Sequence, residues 1–305
     1  MYNGASMIRN NSSISGLGVR DIPANVTYEL LPYYKSFHQA IDLLPKNTSV
    51  AISTSTNKKT NGPDTTIERV EEAARKGLTN IVVHLAARSI KGKKHLDELL
   101  KRAVDASVKE FLVIGGDAPY NRCLPYPDSI SLLKAIIDSD QPIFRIGVAG
   151  YPSGHPSSNV DERLINDLLK KQKLSCKLSG GIYIETQFDF SDSAILDWVK
   201  VIRGKGVELP IKVGLLGAVS YQKALNAMVL AGGALNTVDF MRKTHIRVED
   251  LMTGRYRTKM IKIAQALVAA NADIEGFTIY TLNDVEKTLD RYGEVLTVAR
   301  QLKVG

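Results

Sequence analysis

Eight short apolar runs, each followed by a helical pattern, constrain this chain more than any other feature. They are VTYELL (26–31), SVAIST (49–54), NIVVHLA (80–86), EFLVIGG (110–116), IFRIGVAG (143–150), GIYIETQ (181–187), IKVGLLG (211–217) and GFTIYTL (276–282). They read as near-continuous hydrophobic stretches, as strands do when helices cover the sheet. Between them, apolar residues return with the 3.6-residue period. In TTIERVEEAARKG, Ile67, Val70, Ala73 and Ala74 share one face, and Gly77 supplies the stop. In KKHLDELLKRAVDAS the stripe is Leu96, Leu99, Leu100 and Val104. Residues 234–256 exceed a plain connection and predict an extra helix between strands seven and eight. VEKTLDRYGEVLTVARQLKV predicts one last helix after strand eight. Strict alternation of this kind predicts an α/β fold, a (β/α)8 TIM barrel. A doubly wound sheet would show a Gly-rich turn after its first strand. Leu30-Leu31-Pro32 is not one, and no G-x-G-x-x-G or Walker sequence occurs.

A chain of 305 residues suits one such barrel. The polar stretch 1–22 reads as an N-terminal arm and 23–305 as a single catalytic barrel domain. No stretch approaches the ~18 apolar residues of a membrane span, and the N-terminus lacks the apolar centre of a signal peptide. Cys123 and Cys176 form neither a disulfide framework nor a zinc pattern, which suits a reducing, cytoplasmic setting. The formal charge of +8 comes from scattered lysines such as Lys91, Lys93, Lys94, Lys170, Lys171 and Lys173. Without an aromatic-interleaved basic motif, this argues against nucleic acid and agrees better with a small anionic ligand.

In a barrel of this kind, chemistry sits at the C-terminal ends of the strands. Glu29, Ser53-Thr54-Ser55, His84, Gly115-Gly116-Asp117, Tyr151 with His155, Thr186-Gln187 and Tyr280-Thr281-Leu282-Asn283 all fall there. Each alone has a plain explanation. A lone histidine on an apolar strand is more often a core residue, and Gly-Gly-Asp is often a turn. Seven such clusters on one rim outweigh those separate readings. Neither a His-x-His nor a Glu-x-x-His spacing appears, so no metal site is expected. The absence of G-x-S-x-G argues against a serine hydrolase. Glu29 and Asp117 are the carboxylates available for acid–base work. If Glu29 faces an apolar mouth, desolvation raises its pKa; from spacing alone, a solvated or salt-bridged strand residue is the plainer reading.

These rim residues together resemble the methylenetetrahydrofolate reductase family of flavin-dependent (β/α)8 barrels, over roughly Tyr28 to Leu302. Tyr28-Glu29-Leu30-Leu31-Pro32 is similar to the family's FEFFP, His84-Leu85-Ala86 to its HLT, and Gly116-Asp117-Ala118-Pro119 to its GD-x-P. Ala149-Gly150-Tyr151-Pro152-Ser153-Gly154-His155-Pro156 resembles AGYPEGHP almost throughout and is the most specific match. Thr186-Gln187-Phe188 resembles TQ-F, and Ile279-Tyr280-Thr281-Leu282-Asn283 resembles FYTLN.

The resemblance implies FAD as cofactor and NADH or NADPH as co-substrate. It implies interconversion of 5,10-methylenetetrahydrofolate and 5-methyltetrahydrofolate, in a direction left open. Ser53, Thr54, His84, Gly116, Asp117, Tyr151, His155 and Lys171 would contact FAD. Glu29 would be the general acid, and Asp117 would lie beside flavin and pterin. Gln187 would bind the folate, and Tyr221 would stack near it. A flavin-free pterin-binding barrel in methyl transfer and a non-catalytic folate or flavin carrier stay open, as does a homo-oligomer. The chain departs from the family pattern at Phe188-Asp189-Phe190-Ser191, at Asp284, at Leu216-Gly217 and at Ser53-Thr54.

Overall fold

The computed structural model describes residues 25–32, 35–54, 62–155, 161–225, 241–242 and 245–300. The expected arm, residues 1–22, lies outside them, as does Ser55. Strands occupy all eight apolar runs: β1 (Val26–Leu30), β2 (Ser49–Ile52), β3 (Asn80–Ala86), β4 (Glu110–Ile114), β5 (Arg145–Gly150), β6 (Ile182–Thr186), β7 (Ile211–Leu216) and β8 (Gly276–Tyr280). Each pairs in parallel with its sequence neighbour, and β8 returns to β1, closing the expected barrel.

Helices α1 (Phe37–Leu43), α2 (Gly62–Arg75), α3 (Lys93–Asp105), α4 (Ser129–Ile137), α5 (Asp161–Gln172) and α6 (Asp192–Gly204) follow β1 to β6 in turn. After β7 come α7 (Val248–Thr253), a helix within the expected 234–256 insertion, and α8 (Tyr256–Ala269). Local chemistry sets their ends. Beyond α2, Gly77 adopts φ +89°, which lets its N–H reach Ala74 O at 2.8 Å while the Leu78 N–H reaches Ala73 O at 3.1 Å. Asp128 and Ser131 exchange capping bonds at the start of α4.

Two expectations are corrected. On α3 the fourth buried residue is Ala103, and Val104 is only half-buried, so the stripe runs one residue earlier. The last helix is two, α9 (Val285–Arg291) and α10 (Gly293–Ala299). The break falls at Tyr292, whose ring is fully buried and whose hydroxyl donates to Leu216 O. Gly293, a poor helix former, follows it.

The main core lies between strands and helices and holds Tyr28, Phe37, Phe111, Phe190, Tyr256 and Phe277, all fully buried. Each such side chain contributes roughly 1.5–3 kcal/mol relative to exposure. The barrel interior differs. A small apolar cluster of Ala51, Val82 and Leu112 sits beside charged groups. Lys212 Nζ lies 3.4 Å from Glu110 Oε1 and 4.6 Å from the centre of the Tyr183 ring. The Arg145 guanidinium lies 4.4 Å from the same ring and pairs with Glu275 at 2.7 Å. A Cβ on Gly147 would stand 2.6 Å from Tyr183 Cζ, so the bare backbone makes room for the ring.

Closure between β8 and β1 uses side chains as well as the ladder. Thr281 Oγ1 donates to Glu29 O at 2.7 Å. Asn283 accepts from the Leu31 N–H at 2.8 Å and donates to Leu31 O at 2.9 Å. Leu282 and Asn283 hold left-handed φ values of 46° and 62° to make this turn. The end of the strand carrying Glu29 is thereby fixed from residues about 250 positions away in sequence.

Candidate active site

Glu29 points into the mouth and is only 8% exposed. Among the described residues it has no lysine or arginine partner. Burial, then the negative charge of Glu185, push its carboxyl up to about 8, against a smaller lowering by a hydrogen bond from Ser53. The plain sequence reading of a solvated or salt-bridged residue is therefore replaced by a desolvated acid. His84 on β3 faces it, with Nδ1 3.7 Å from Glu29 Oε1. Burial holds this imidazole down at about 3, so it is neutral at pH 7. Its Nε2 has no hydrogen-bond partner among the described residues, and neither has Thr54 Oγ1 at the end of β2.

On the same rim, just after β4, Gly116 takes φ +91°, and Asp117 beside it is exposed. Tyr151 and His155 meet edge to face with ring centres 4.7 Å apart. The Tyr151 hydroxyl is pushed up to about 12 by burial, and Arg88 and Asp117 are its charged neighbours. Gln187 donates its backbone N–H to Gly150 O at 2.9 Å, which ties the end of β6 to the β5 loop. Glu29, Ser53, Thr54, His84, Gly116, Asp117, Tyr151, His155 and Gln187 thus share the strand C-terminal end.

Two expected residues stand apart from the buried cluster. Lys171 is buried near the end of α5; the adjacent Gln172 bonds Gly206 and Glu208 in the turn before β7, at the other end of the barrel. Its ammonium is held below its usual range by burial, with Asp167 and Asp128 as acidic neighbours. Tyr221, after β7, is 36% exposed.

Three residues escaped the sequence reading. Arg88, two residues after His84-Leu85-Ala86, donates to the carbonyls of Gly116, Ala118 and Pro127 and so shapes the Asp117 loop. Buried Asp189 accepts from Ser153 and the Ser191 N–H and faces His245 at 3.3 Å. Glu185 sits inside the barrel, where burial pushes it up to about 7. A lone acid at the inward phase of GIYIETQ was the available signal for Glu185.

Fold and site together define a (β/α)8 barrel whose mouth holds an uncharged carboxylic acid beside unpaired buried polar groups. The chain belongs to the methylenetetrahydrofolate reductase family, whose sequence model matches residues 32–294. It is 30% identical over 196 residues to methylenetetrahydrofolate reductase 2 of Saccharomyces cerevisiae, covering 62% of this chain and 32% of that protein. It is 23% identical over 214 residues to methylenetetrahydrofolate reductase 2 of Schizosaccharomyces pombe, covering 66% and 33%. The matched region thus spans about a third of the length of these curated relatives. Among solved structures, an uncharacterised protein from Clostridium thermocellum that binds two copies of 5-methyl-5,6,7,8-tetrahydrofolic acid aligns with a TM-score of 0.51. It is 13% identical and covers 92% of this chain and 96% of that one, a likeness that speaks for the fold alone.

Proposed function

We propose that this chain is a flavin-dependent methylenetetrahydrofolate reductase, interconverting 5,10-methylenetetrahydrofolate and 5-methyltetrahydrofolate with NADH or NADPH. The observation that carries the reading is Glu29: a desolvated carboxyl, protonated at neutral pH, at the mouth of a barrel of this family. FAD suits the residues present. Thr54 Oγ1 and His84 Nε2 are buried without partners, and Gly116 offers backbone that a flat ring system can approach closely. Ser53, Thr54, His84, Gly116, Asp117, Tyr151 and His155 would hold it; Lys171, at the other end of the barrel, is set aside from this role. When bound, FAD supplies hydride transfer between nicotinamide and folate.

The chain's own contribution is proton placement and charge. Glu29 gives its proton to the folate nitrogen that departs when the five-membered ring opens. That opening leaves a cationic iminium on the substrate. Asp117, elsewhere on the same rim, supplies negative charge to stabilise the cation by preorganised electrostatics. Neutral His84 supports the protonated state of Glu29 because it brings no positive charge beside it. Gln187 would bind the pterin, and Tyr221 would cover the substrate from the rim. Both directions of reaction use these same groups.

The test is an anaerobic absorption titration of the purified full chain. A bound flavin spectrum should bleach with NADH or NADPH and return on adding methylenetetrahydrofolate. A colourless protein that takes up no added FAD would end the proposal.

A further inference from the structure

Inside the barrel below Glu29 lies a second carboxyl that the proposed proton delivery does not use. Glu185, on β6, is 3% exposed. Its Oε2 accepts from Thr278 Oγ1 on β8 at 2.7 Å. Strand β7 lies between these two, and its residue in register with Thr278 is Gly214. A Cβ there would stand 2.6 Å from Tyr280 Cε2 and would also meet Thr186 O. Bare backbone at Gly214 thus leaves the inner wall open for Glu185 to reach across to β8. The other oxygen, Glu185 Oε1, is buried and has no hydrogen-bond partner among the described residues. Thr278 lies two residues before Tyr280, and Tyr280 pairs in register with Glu29. The two carboxyls therefore occupy adjacent levels of one closed interior.

We propose that Glu185 is a positioning residue for the proposed reaction: held by Thr278 inside the barrel, its carboxylate keeps the proton on Glu29. This rests on the reductase reading and deepens it. Two desolvated carboxylates in one interior resist ionising together, so the first proton lost leaves the second harder to remove. The surroundings decide which site keeps it. Around Glu29 stand Ser53 just after β2, neutral His84 on β3 and Tyr280 on β8, and among the described residues no cation. Around Glu185 stand Lys212 on β7, Glu110 on β4, Thr278 and Tyr280 on β8. Tyr280 gives its hydroxyl to Thr186 O. The ammonium of Lys212 favours charge on Glu185, and the proton accordingly stays on Glu29, at the mouth where a substrate would meet it.

The experiment compares wild type, Glu185→Gln and Glu185→Asp by two readouts. The first is a carboxyl NMR titration of protein carrying isotope-labelled glutamate, with Glu29→Gln assigning the Glu29 signal. The second is folate-dependent turnover against pH. In Glu185→Gln the Glu29 carboxyl should titrate about 1–2 pH units lower. The high-pH limb of kcat should move down with it, KM should be unchanged, and activity should return at lower pH. Glu185→Asp, which keeps the charge, should stay near wild type and guards against a mere folding defect in the Gln variant. A Glu29 titration unmoved in Glu185→Gln overturns the inference. A shifted Glu29 in a protein with no folate turnover supports the carboxyl pairing and sinks the reductase reading instead.

Discussion

Glu29 Oε1 and His84 Nδ1 stand 3.7 Å apart, a carboxyl and an imidazole at ion-pair distance, yet neither is charged at pH 7. Burial drives the two in opposite directions, the acid up to about 8 and the base down to about 3. Glu185 adds to the first shift. Had His84 been cationic, it would have drawn the proton off Glu29 and left a carboxylate. The apolar packing around β1 and β3 thus decides that the mouth presents an acid.

Replacing that acid separates proton delivery from binding. Glu29→Gln keeps the shape and the Thr281 contact to Glu29 O, which is a backbone contact. Bound FAD should be retained, while folate-dependent turnover falls about 10²–10⁴-fold, the usual worth of a positioned proton donor. Flavin content by absorbance and steady-state rates check it. Unchanged folate turnover would remove Glu29 from the mechanism.

The same variant should be more stable than wild type, and more so at pH 8 than at pH 5. The sign follows from linkage. Glu29 ionises at about its ordinary 4.5 in the unfolded chain but near 8 when folded. Between those values the unfolded state loses its proton and the native state keeps it, so native stability falls as pH rises through this window. Glu185, at about 7 when folded, acts in the same sense. His84 acts oppositely and weakens the fold as pH drops from about 6.5 toward 3. Gln carries no proton to lose, so urea midpoints for the two proteins should diverge with rising pH. Parallel curves would mean that Glu29 is not buried in solution.

Arg88 tests how the rim is held. Its guanidinium spans the carbonyls of Gly116, Ala118 and Pro127, and its backbone N–H reaches Gly115 O at 3.1 Å. Lysine cannot satisfy three carbonyls in one planar fork. Arg88→Lys should loosen the Asp117 loop and weaken FAD retention several-fold in equilibrium dialysis, with little change in the melting temperature of the apoprotein. Full retention would detach this loop from flavin binding.

The fold was legible because parallel strands buried on both faces are largely apolar, and each of the eight runs is, with Glu29, His84, Arg145, Glu185 and Lys212 as isolated polar residues that face the barrel interior. The rim was legible because Gly116, Tyr151 and His155 fall beside strand ends, where backbone turns. What stayed hidden is long-range. Nothing near Glu29 in sequence says whether a cation faces it; that depends on His84, Glu185 and Ser53, brought in by β3, β6 and the end of β2. Tyr280-Thr281-Leu282-Asn283 looked like a rim motif, and its Thr281 and Asn283 side chains clasp β1. The break at Tyr292 was invisible because it answers to Leu216, on a different strand.

Gly217 marks one of the departures from the family pattern, and the variant Gly217→Pro tests whether a bare backbone is required there. Its N–H donates to Tyr280 O at 3.0 Å, one of the bonds joining the ends of β7 and β8. Proline has no N–H to give. A Cβ at this position would also lie 2.9 Å from Thr288 Oγ1, 3.0 Å from Tyr280 O and 3.1 Å from Thr281 Cα. Thr288 cannot easily withdraw, because its hydroxyl accepts from the Ala218 N–H and donates to Asp284 O. Asp284, another departure from the family pattern, pairs in turn with Lys223 at 2.6 Å. Glycine at 217 and the acid at 284 therefore belong to one rearranged junction. Leaving Tyr280 O unpaired costs about 1–3 kcal/mol, and the steric clash adds to it. Gly217→Pro should lower stability by at least that much in urea unfolding. Gly217→Ala, which keeps the N–H, should lose less. Equal losses in the two variants would assign the effect to crowding alone and remove the hydrogen bond from the account.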